Sequence, residues 1–294
     1  MPAIALGTVQ FGLDYGLTNQ AGCISDREAE RILRCAHDQG VQWLDTAAAY
    51  GNAETRLGEL LAGDPYFSIC SKLLPTLAEQ SALALAPRSL DNSLTRLRRE
   101  RLDALLLHSV GDLLGAEGDA LWDWLLQQRA AGLVGSIGVS VYEQGEIEAL
   151  LARYQPDWIQ LPCSVFDQRL LASGTLEQLV ARGVKVQARS LLLQGVVSLS
   201  PERLPPQLGA LLQPLQRLQS AAQARGRDTL SLALAWAAAQ TALELAVIGV
   251  TREQELQQCL EAFATPADCD WASFACSDSK ALDPRQWRDV TRPN

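Results

Sequence analysis

The stretch "VQWLDTAAAYG", residues 41–51, places a carboxylate directly after an apolar run and a phenol five residues further on. Val41–Leu44 has the length and composition of a short buried strand. The alanines after Asp45 allow a tight loop, and Gly51 allows the backbone to turn sharply. The stretch therefore predicts a strand at whose carboxyl end Asp45 and Tyr50 face the same cavity.

Short apolar runs like this one recur along the chain and alternate with amphipathic stretches, a pattern typical of parallel strands joined by helices. The first helical stretch begins at Ser25, which forms a capping box with Glu28, and ends at Gly40. The other predicted strands are Ile4–Leu6, Phe67–Ser71, Ala104–Leu107, Ser136–Val139, Trp158–Leu161, Val184–Ala188 and Ala246–Val250. The other predicted helices are Glu54–Leu61, Pro87–Arg99, Ala120–Ala131, Gln144–Tyr154, Leu176–Arg182, Pro206–Ala224 and Glu253–Glu261.

Eight strands in alternation with eight helices predict a (β/α)8 barrel, a fold of about 250 residues. An open doubly wound sheet is the rival, but it carries Gly-x-Gly-x-x-Gly after its first strand, and "LGTVQFG" does not match. An apolar helix over Thr229–Ala239 is expected before the last strand. Without a long linker or internal repeat, residues 1–294 are predicted to form one domain, with the tail after Thr265 (Trp271, Phe274, Trp287) packed on the barrel.

Composition excludes several functional classes. Hydrophobic residues make up 48% and charged residues 20% of the chain, and no apolar run of about 18 residues predicts a membrane span. The first residues lack the features of a signal peptide, so a cytoplasmic location is expected. A net charge of −9 argues against a nucleic-acid partner. Seven cysteines without a Cys-x-x-Cys motif and only two histidines predict neither a disulfide framework nor a metal centre.

Polar residues follow three neighbouring predicted strands. Asp45 and Tyr50 follow the second strand, Lys72 ends the third and His108 ends the fourth. In a barrel these strand ends meet at one mouth. A nearby ammonium stabilises a phenolate and is expected to lower the pKa of Tyr50 from its reference value of about 10. Asp45 would balance the charge of Lys72, and a neutral His108 would orient a substrate oxygen.

This arrangement resembles the aldo-keto reductase family along nearly the whole chain. The matching motifs are "LGTVQFG", "DTAAAYG", "SK", "LLH", "GVS", "IQLPCSVFDQR" and "VIGVT", each at the end of a predicted strand. The resemblance implies an NAD(P)H-dependent enzyme that reduces an aldehyde or ketone, or oxidises the alcohol. Tyr50 would be the general acid, assisted by Lys72, Asp45 and His108, and no metal would be needed. The expected partner is a small-molecule carbonyl or alcohol substrate, with no nucleic acid and no membrane.

The resemblance also implies a set of cofactor-binding residues. Ser140 and Gln160 would hold the nicotinamide carboxamide, and Arg189 stands where many relatives have an aromatic that stacks on the nicotinamide. Arg252 could bind a 2′-phosphate, whereas Glu255 would repel it, so NADPH or NADH is expected with NADPH slightly favoured. The full set is Gly7, Thr8, Val9, Asp45, Ser140, Gln160, Arg189, Ser190, Leu192, Gln194, Gly249, Val250, Thr251, Arg252, Glu255 and Cys259.

Two other functions are compatible with the same residues. The first is a nicotinamide-binding sensor or accessory subunit without catalysis, and the second is a lyase that forms a Schiff base on Lys72. The residues expected near a substrate are Gln10, Phe11, Tyr15, Leu73, Leu74, Val165, Phe166 and Arg169. Neither the identity of the substrate nor the oligomeric state is predicted.

Overall fold

The computed structural model describes residues 1–76, 80–287 and 290. Eight parallel strands close into a barrel in the order β1 to β8, and the pairs Ala3–Leu245 through Gly7–Gly249 join the last strand to the first. This confirms the predicted (β/α)8 fold. The strands are β1 (Ala3–Gly7), β2 (Trp43–Asp45), β3 (Ser68–Leu73), β4 (Leu102–Leu107), β5 (Val134–Ser140), β6 (Trp158–Pro162), β7 (Lys185–Arg189) and β8 (Leu245–Gly249).

The α-helices surround the barrel and follow the predicted stretches closely. Some are single turns that precede a longer helix. They are α1 (Val9–Gly12), α2 (Asp26–Asp38), α3 (Ala53–Leu61), α4 (Ala82–Leu97), α5 (Gly111–Leu114), α6 (Gly118–Ala130), α7 (Gln144–Leu151), α8 (Arg169–Ala172), α9 (Thr175–Ala181), α10 (Leu212–Gln223), α11 (Thr229–Ala238), α12 (Glu253–Ala264) and α13 (Ser279–Leu282). Short 3-10 segments cover Leu193–Ser198, Pro201–Arg203, Pro206–Leu211, Trp271–Phe274 and Pro284–Gln286.

Only half of the predicted capping box at α2 forms. Ser25 Oγ accepts the backbone N–H of Glu28 at 3.3 Å, and Gly40 follows the helix with φ +79° as predicted. The Glu28 carboxylate, however, accepts the backbone N–H of Glu253 at 2.8 Å. Because α2 packs against α12, this carboxylate caps the neighbouring helix rather than its own.

Two predicted helix boundaries were wrong for identifiable reasons. Helix α4 begins at Ala82 rather than at Pro87, because Ser81 Oγ accepts the N–H of Ala84 and provides an earlier N-cap. Pro87 lies inside the helix, where its ring replaces one intrahelical N–H donor. The predicted helix from Pro206 is interrupted at Leu208, whose φ and ψ are −101° and 20°, so its first six residues are 3-10 and α10 starts at Leu212.

The extra helix and the tail both pack against the barrel. In α11, residues 232–237 are all buried, which accounts for the apolar sequence of this helix. The tail packs on the barrel as predicted: Phe274 and Leu282 are buried, and Cys276 N donates to Phe166 O at 2.8 Å. No helix among the described residues is long and apolar enough to cross a membrane. All seven cysteines are unpaired.

The interior of the barrel is divided into an apolar end and a polar end. Near the amino ends of the strands, Trp43 and Trp158 meet edge to face with ring centroids 5.7 Å apart. A small apolar cluster around them contains Ala5, Cys70, Ala104, Leu106 and Leu245. This plug closes one end of the barrel, and the polar strand ends lie at the other.

Close packing around this plug gives a test of the fold. A Cβ added to Gly138 in β5 would lie 2.2 Å from Trp158 O and 2.7 Å from Leu106 Cδ2, whereas one added to Gly145 in α7 meets nothing within 4 Å. We expect Gly138→Ala to lower the free energy of unfolding by about 1–3 kcal/mol through overpacking. Thermal unfolding of both variants checks this. Equal melting temperatures for Gly138→Ala and the Gly145→Ala control would contradict the packing described.

Candidate active site

A cavity of about 640 Å³ opens at the carboxyl ends of the strands. Asp45, Tyr50 and His108 line it, as predicted. Lys72 lies behind the wall with 1% of its surface exposed and reaches the site through Asp45. The four residues singled out from the strand ends are therefore brought together.

The register between β2 and β3 creates a buried ion pair. Asp45 is aligned with Cys70, so Lys72, two residues further on, projects from the same face. Lys72 Nζ donates to Asp45 Oδ1 at 2.8 Å, to Oδ2 at 2.9 Å and to Thr46 O at 2.9 Å. All three ammonium hydrogens thus have acceptors, which offsets part of the cost of burying the charge.

Two glutamines from the opposite side of the barrel complete the environment of Asp45. Gln160 Nε2 in β6 and Gln187 Nε2 in β7 donate to Asp45 Oδ1 at 2.7 and 3.1 Å. Gln160 was expected to contact a nicotinamide carboxamide, yet here it is bonded to the carboxylate. Gln187 was missed, although it lies two residues before Arg189 and so shares its inward face.

Lys72 is held in the charged form. Burial lowers the pKa of its ammonium, but Asp45, Tyr50 and Cys70 together raise this pKa by more than burial lowers it. The net direction is therefore upward. A permanently protonated amine is a poor nucleophile but a stable positive charge. Its Nζ lies 5.2 Å from the centroid of the Tyr50 ring.

The position of Tyr50 depends on contact between two glycine backbones. Gly51 has φ +57°, and a Cβ there would lie 2.3 Å from Gly12 O, so the predicted sharp turn is confirmed. The predicted net lowering of the pKa of Tyr50 was wrong. Burial raises the pKa of this phenol; Lys72 lowers it as expected, Asp45 raises it and Arg189 lowers it, and the net direction is upward.

His108 faces Tyr50 edge to face, with ring centroids 5.9 Å apart and an interplanar angle of 87°. Burial, together with the charges of Lys72 and Arg189, lowers the pKa of His108 to about 4. The imidazole is therefore neutral at pH 7, in agreement with the expectation. Its Nδ1 has no hydrogen-bond partner among the described residues.

Nearly all of the predicted cofactor residues line the same cavity. Arg252 does not; it is exposed at the N-cap of α12. The residues in the wall are Gly7, Thr8, Val9, Asp45, Ser140, Gln160, Arg189, Ser190, Leu192, Gln194, Gly249, Val250, Thr251, Glu255 and Cys259.

The segment after β7 has an unusual backbone. Ser190, Leu193 and Gln194 have φ between 43° and 59°, in the left-handed region, and Gly195 follows at 92°. A Cβ on Gly195 would overlap Thr18, so glycine permits the close approach. Leu17 N donates to Gln194 O at 3.0 Å, which joins the loops after β1 and β7 at the cavity wall.

The start of α12 is surrounded by carboxylates. Glu255 accepts Thr251 N at 2.7 Å and Thr251 Oγ1 at 3.0 Å, while Glu28 accepts Glu253 N as described above. Cys259 lies behind Glu255, and burial, with Glu255 and Asp228, raises the pKa of its thiol to about 12. Two backbone N–H groups that could hold a phosphate at this helix start, those of Thr251 and Glu253, are thus already bonded to side chains.

Several residues expected near a substrate lie elsewhere. Of the eight residues expected near a substrate, only Gln10 and Tyr15 line the cavity. Phe11, Val165 and Phe166 are fully buried in the core, and Arg169 is bonded to Asp167 and Glu143. Leu73 is buried, and Leu74 is 44% exposed outside the wall.

Other wall residues were not predicted. Tyr142 follows β5 by two residues, so continuing the inspection past the strand end would have found it. Pro284 and Arg285 come from the C-terminal segment, for which the strand pattern gives no signal.

Comparison with known proteins identifies the family. The family model described as "Aldo/keto reductase family" matches residues 3–273. The chain is 27% identical over 256 residues to a 6-dehydroglucose reductase of Novosphingobium aromaticivorans, covering 80% of each protein.

Solved structures agree with the fold. An aldo-keto reductase from Bacillus halodurans, in its holo form, superposes with a TM-score of 0.75 at 20% identity, covering 95% of this chain and 92% of that one. One from Klebsiella pneumoniae, in complex with NADPH, has a TM-score of 0.71 at 21% identity over 96% and 95% of the two chains. The chain belongs to the aldo-keto reductase family and is an NAD(P)-dependent oxidoreductase.

Proposed function

We propose that this enzyme reduces an aldehyde or ketone to an alcohol, or catalyses the reverse reaction, with Tyr50 as general acid. The observation that carries the proposal is the convergence of Tyr50 and His108 on one cavity wall, with the Lys72 ammonium 5.2 Å from the phenol ring. A phenol, an ammonium and a neutral imidazole form a set that can protonate a carbonyl oxygen.

The cavity has features that fit a nicotinamide cofactor. Its volume lies in the usual range for small-molecule sites. Gln10 Oε1 is buried without a partner among the described residues, which leaves a free acceptor in the wall. Ser140, Gln160 and Ser190 would hold the nicotinamide end, and Gly249 to Thr251 with Glu255 the adenosine end. A bound nicotinamide supplies or accepts the hydride.

The residues of the chain handle the proton. In the reductive direction Tyr50 donates its hydroxyl proton to the carbonyl oxygen, and His108 donates a hydrogen bond to the same oxygen. The Lys72 ammonium stabilises the phenolate that remains, and Asp45 with its two glutamines keeps that ammonium in place. In the oxidative direction the phenolate accepts the alcohol proton.

We infer a preference for NADH over NADPH, in place of the slight NADPH preference expected from the sequence. Glu255 lines the adenosine end and its carboxylate is fixed on Thr251, whereas Arg252 is exposed outside the wall. A carboxylate repels a 2′-phosphate but accepts hydrogen bonds from a free ribose hydroxyl.

Two alternatives have less support. A Schiff-base lyase needs a neutral lysine, and the raised pKa of Lys72 keeps it protonated. A non-catalytic sensor would not require a proton donor, a neutral imidazole and a charged lysine in one cavity.

The role of Tyr50 is tested by removing its hydroxyl. We expect Tyr50→Phe to lower kcat by about 10²–10⁴-fold, the usual contribution of a positioned general acid, while NADH still binds. Steady-state kinetics with an aldehyde panel measure this. Tyr66→Phe removes a hydroxyl bonded to His37 O, outside the cavity wall, and is the control. Near-normal turnover by Tyr50→Phe would exclude the mechanism.

The lowered pKa of His108 predicts a pH dependence of stability. Between pH 6.5 and 4 the unfolded histidine binds a proton that the folded one does not, so acid destabilises the fold. Relative to His108→Gln, the wild type should lose on the order of 2 kcal/mol between about pH 6.5 and 5. Chemical unfolding of both proteins across this range measures the difference. If the free energy of unfolding changed with pH in the same way for both proteins, the lowered pKa of His108 would be contradicted.

The cofactor preference is tested at Glu255. Removing its charge with Glu255→Gln should change the NADPH-to-NADH affinity ratio by about tenfold in favour of NADPH, given the Coulomb energy of a partly solvated carboxylate–phosphate pair. Quenching of tryptophan fluorescence measures both dissociation constants. Glu261→Gln, an exposed change on the same helix, is the control. An unchanged ratio in Glu255→Gln would refute the repulsion.

A further inference from the structure

Two arginines and a tyrosine form a cationic group in the wall of the reaction cavity. Arg189 ends β7, Tyr142 follows β5 and Arg285 comes from the C-terminal segment. The guanidinium carbons of Arg189 and Arg285 lie 3.9 and 3.2 Å from the centroid of the Tyr142 ring. Each guanidinium is thereby held by cation–π contact with one phenol. We call this set the Arg189–Tyr142–Arg285 group.

Arg189 carries a charge without a counter-ion. It donates to Val141 O at 3.1 Å and to the hydroxyls of Ser140 and Ser190 at 3.4 Å. All three acceptors are neutral, and no carboxylate in the described part of the chain lies within ion-pair distance of it. A partly buried guanidinium in this state is a binding site for an anion.

Arg285 is positioned by its neighbour but retains a free edge. Asp283, whose side chain is 4% exposed, accepts Arg285 Nε at 3.0 Å and Nη2 at 2.9 Å. Nη1 donates to none of the described residues. The arginine side chain is 52% exposed, so a ligand in the cavity can reach it.

The other carboxylates around this wall are already bonded. Asp167 and Glu143 are paired with Arg169. Glu146 accepts the backbone N–H groups of Tyr142 and Glu143 at 2.6 and 3.0 Å. Glu146 keeps its negative charge, because its donors are neutral amides, but it does not line the cavity, whereas Arg189 and Arg285 do.

The positive charge of Arg189 affects the pKa values of the proposed catalytic residues. Arg189 contributes to the lowered pKa of His108 and acts to lower the pKa of both Tyr50 and Tyr15. Arg189 lines the same cavity as Tyr50 and His108, the groups that would surround the carbonyl. An anion bound by Arg189 would accordingly belong to the molecule whose carbonyl is reduced.

We propose that the substrate is an anionic carbonyl compound, an aldehyde or ketone with a carboxylate or phosphate group that binds Arg189 and Arg285 beside Tyr142. The proposal rests on the reductase function given above. It adds a substrate class. The Arg189–Tyr142–Arg285 group distinguishes an anionic compound from its neutral counterpart. Arg285 in addition ties this choice to the C-terminal segment, outside the barrel strands.

Matched substrate pairs test the proposal. The first pair is 4-oxobutanoate and its neutral methyl ester, and the second is glyceraldehyde 3-phosphate and glyceraldehyde. We expect kcat/KM for the anionic member of at least one pair to exceed that for the neutral member about tenfold or more, the usual effect of one charged hydrogen bond. The pair with the larger ratio distinguishes carboxylate from phosphate.

Arginine variants test which residues cause the preference for the anionic substrate. Arg285→Gln should lower the anionic-to-neutral ratio about tenfold or more, mainly through KM, and Arg189→Gln should do the same. Arg217→Gln is the control, because Arg217 is a surface arginine bonded to Ser273 O and lies outside this cavity. If Arg285→Gln fails to fold because Asp283 loses its partner, Arg189→Gln decides.

The proposal would be overturned if the wild-type kcat/KM values for the anionic and the neutral member differed by less than about twofold in both pairs. It would also be overturned if the folded arginine variants left the anionic-to-neutral ratio of kcat/KM unchanged. A binding measurement separates this failure from failure of the reductase function. In calorimetric titrations of the NADH-loaded enzyme, butanoate should bind more tightly than butanamide, and Arg285→Gln should remove the difference. If no carbonyl compound is reduced but this difference is seen, the anion site stands and the reductase proposal falls.

Discussion

The buried ion pair between Lys72 and Asp45 is the interaction on which the rest of the site depends. Burying a charged pair is costly unless the remaining donors and acceptors are also bonded. Here Thr46 O satisfies the third hydrogen of Lys72, and Gln160 and Gln187 donate to Asp45. The pair joins β2 to β3, and its partners come from the residue after β2 and from β6 and β7, so the pair holds only if strands on both sides of the barrel keep their register.

The residues that stabilise the barrel and the residues of the candidate active site lie at opposite ends of it. The apolar plug around Trp43 and Trp158 fills the end near the amino termini of the strands. Asp45, Tyr50 and His108 lie at the other end, where loops can differ without disturbing the core. Contact between the loops after β1 and β7, and the docking of the C-terminal segment, complete the cavity wall.

Charge is distributed unevenly along this cavity. Arg189, which has no paired carboxylate, lies at the end that holds Tyr50 and His108, together with Lys72 paired to Asp45 and Arg285 paired to Asp283, whereas Glu255 and Glu28 lie at the start of α12. Because the walls exclude part of the solvent, these opposite charges act more strongly than they would on an open surface. The net raised pKa of Tyr50 shows the opposing effect: burial outweighs the nearby ammonium, so one favourable charge does not fix the direction of a titration.

The sequence by itself determined the order of the strands and helices and the four residues at the strand ends. Both follow from local pattern, because the apolar period sets each element and the residue after a strand must lie at the barrel mouth. Tertiary structure decided what those residues touch. Gln160 donates to Asp45, and Glu28 caps α12 instead of closing its own capping box, because hydrogen-bond partners from distant segments lie nearer. Arg285 reaches the cavity from the C-terminal segment for the same reason: its neighbours are fixed by packing, which no local periodicity records.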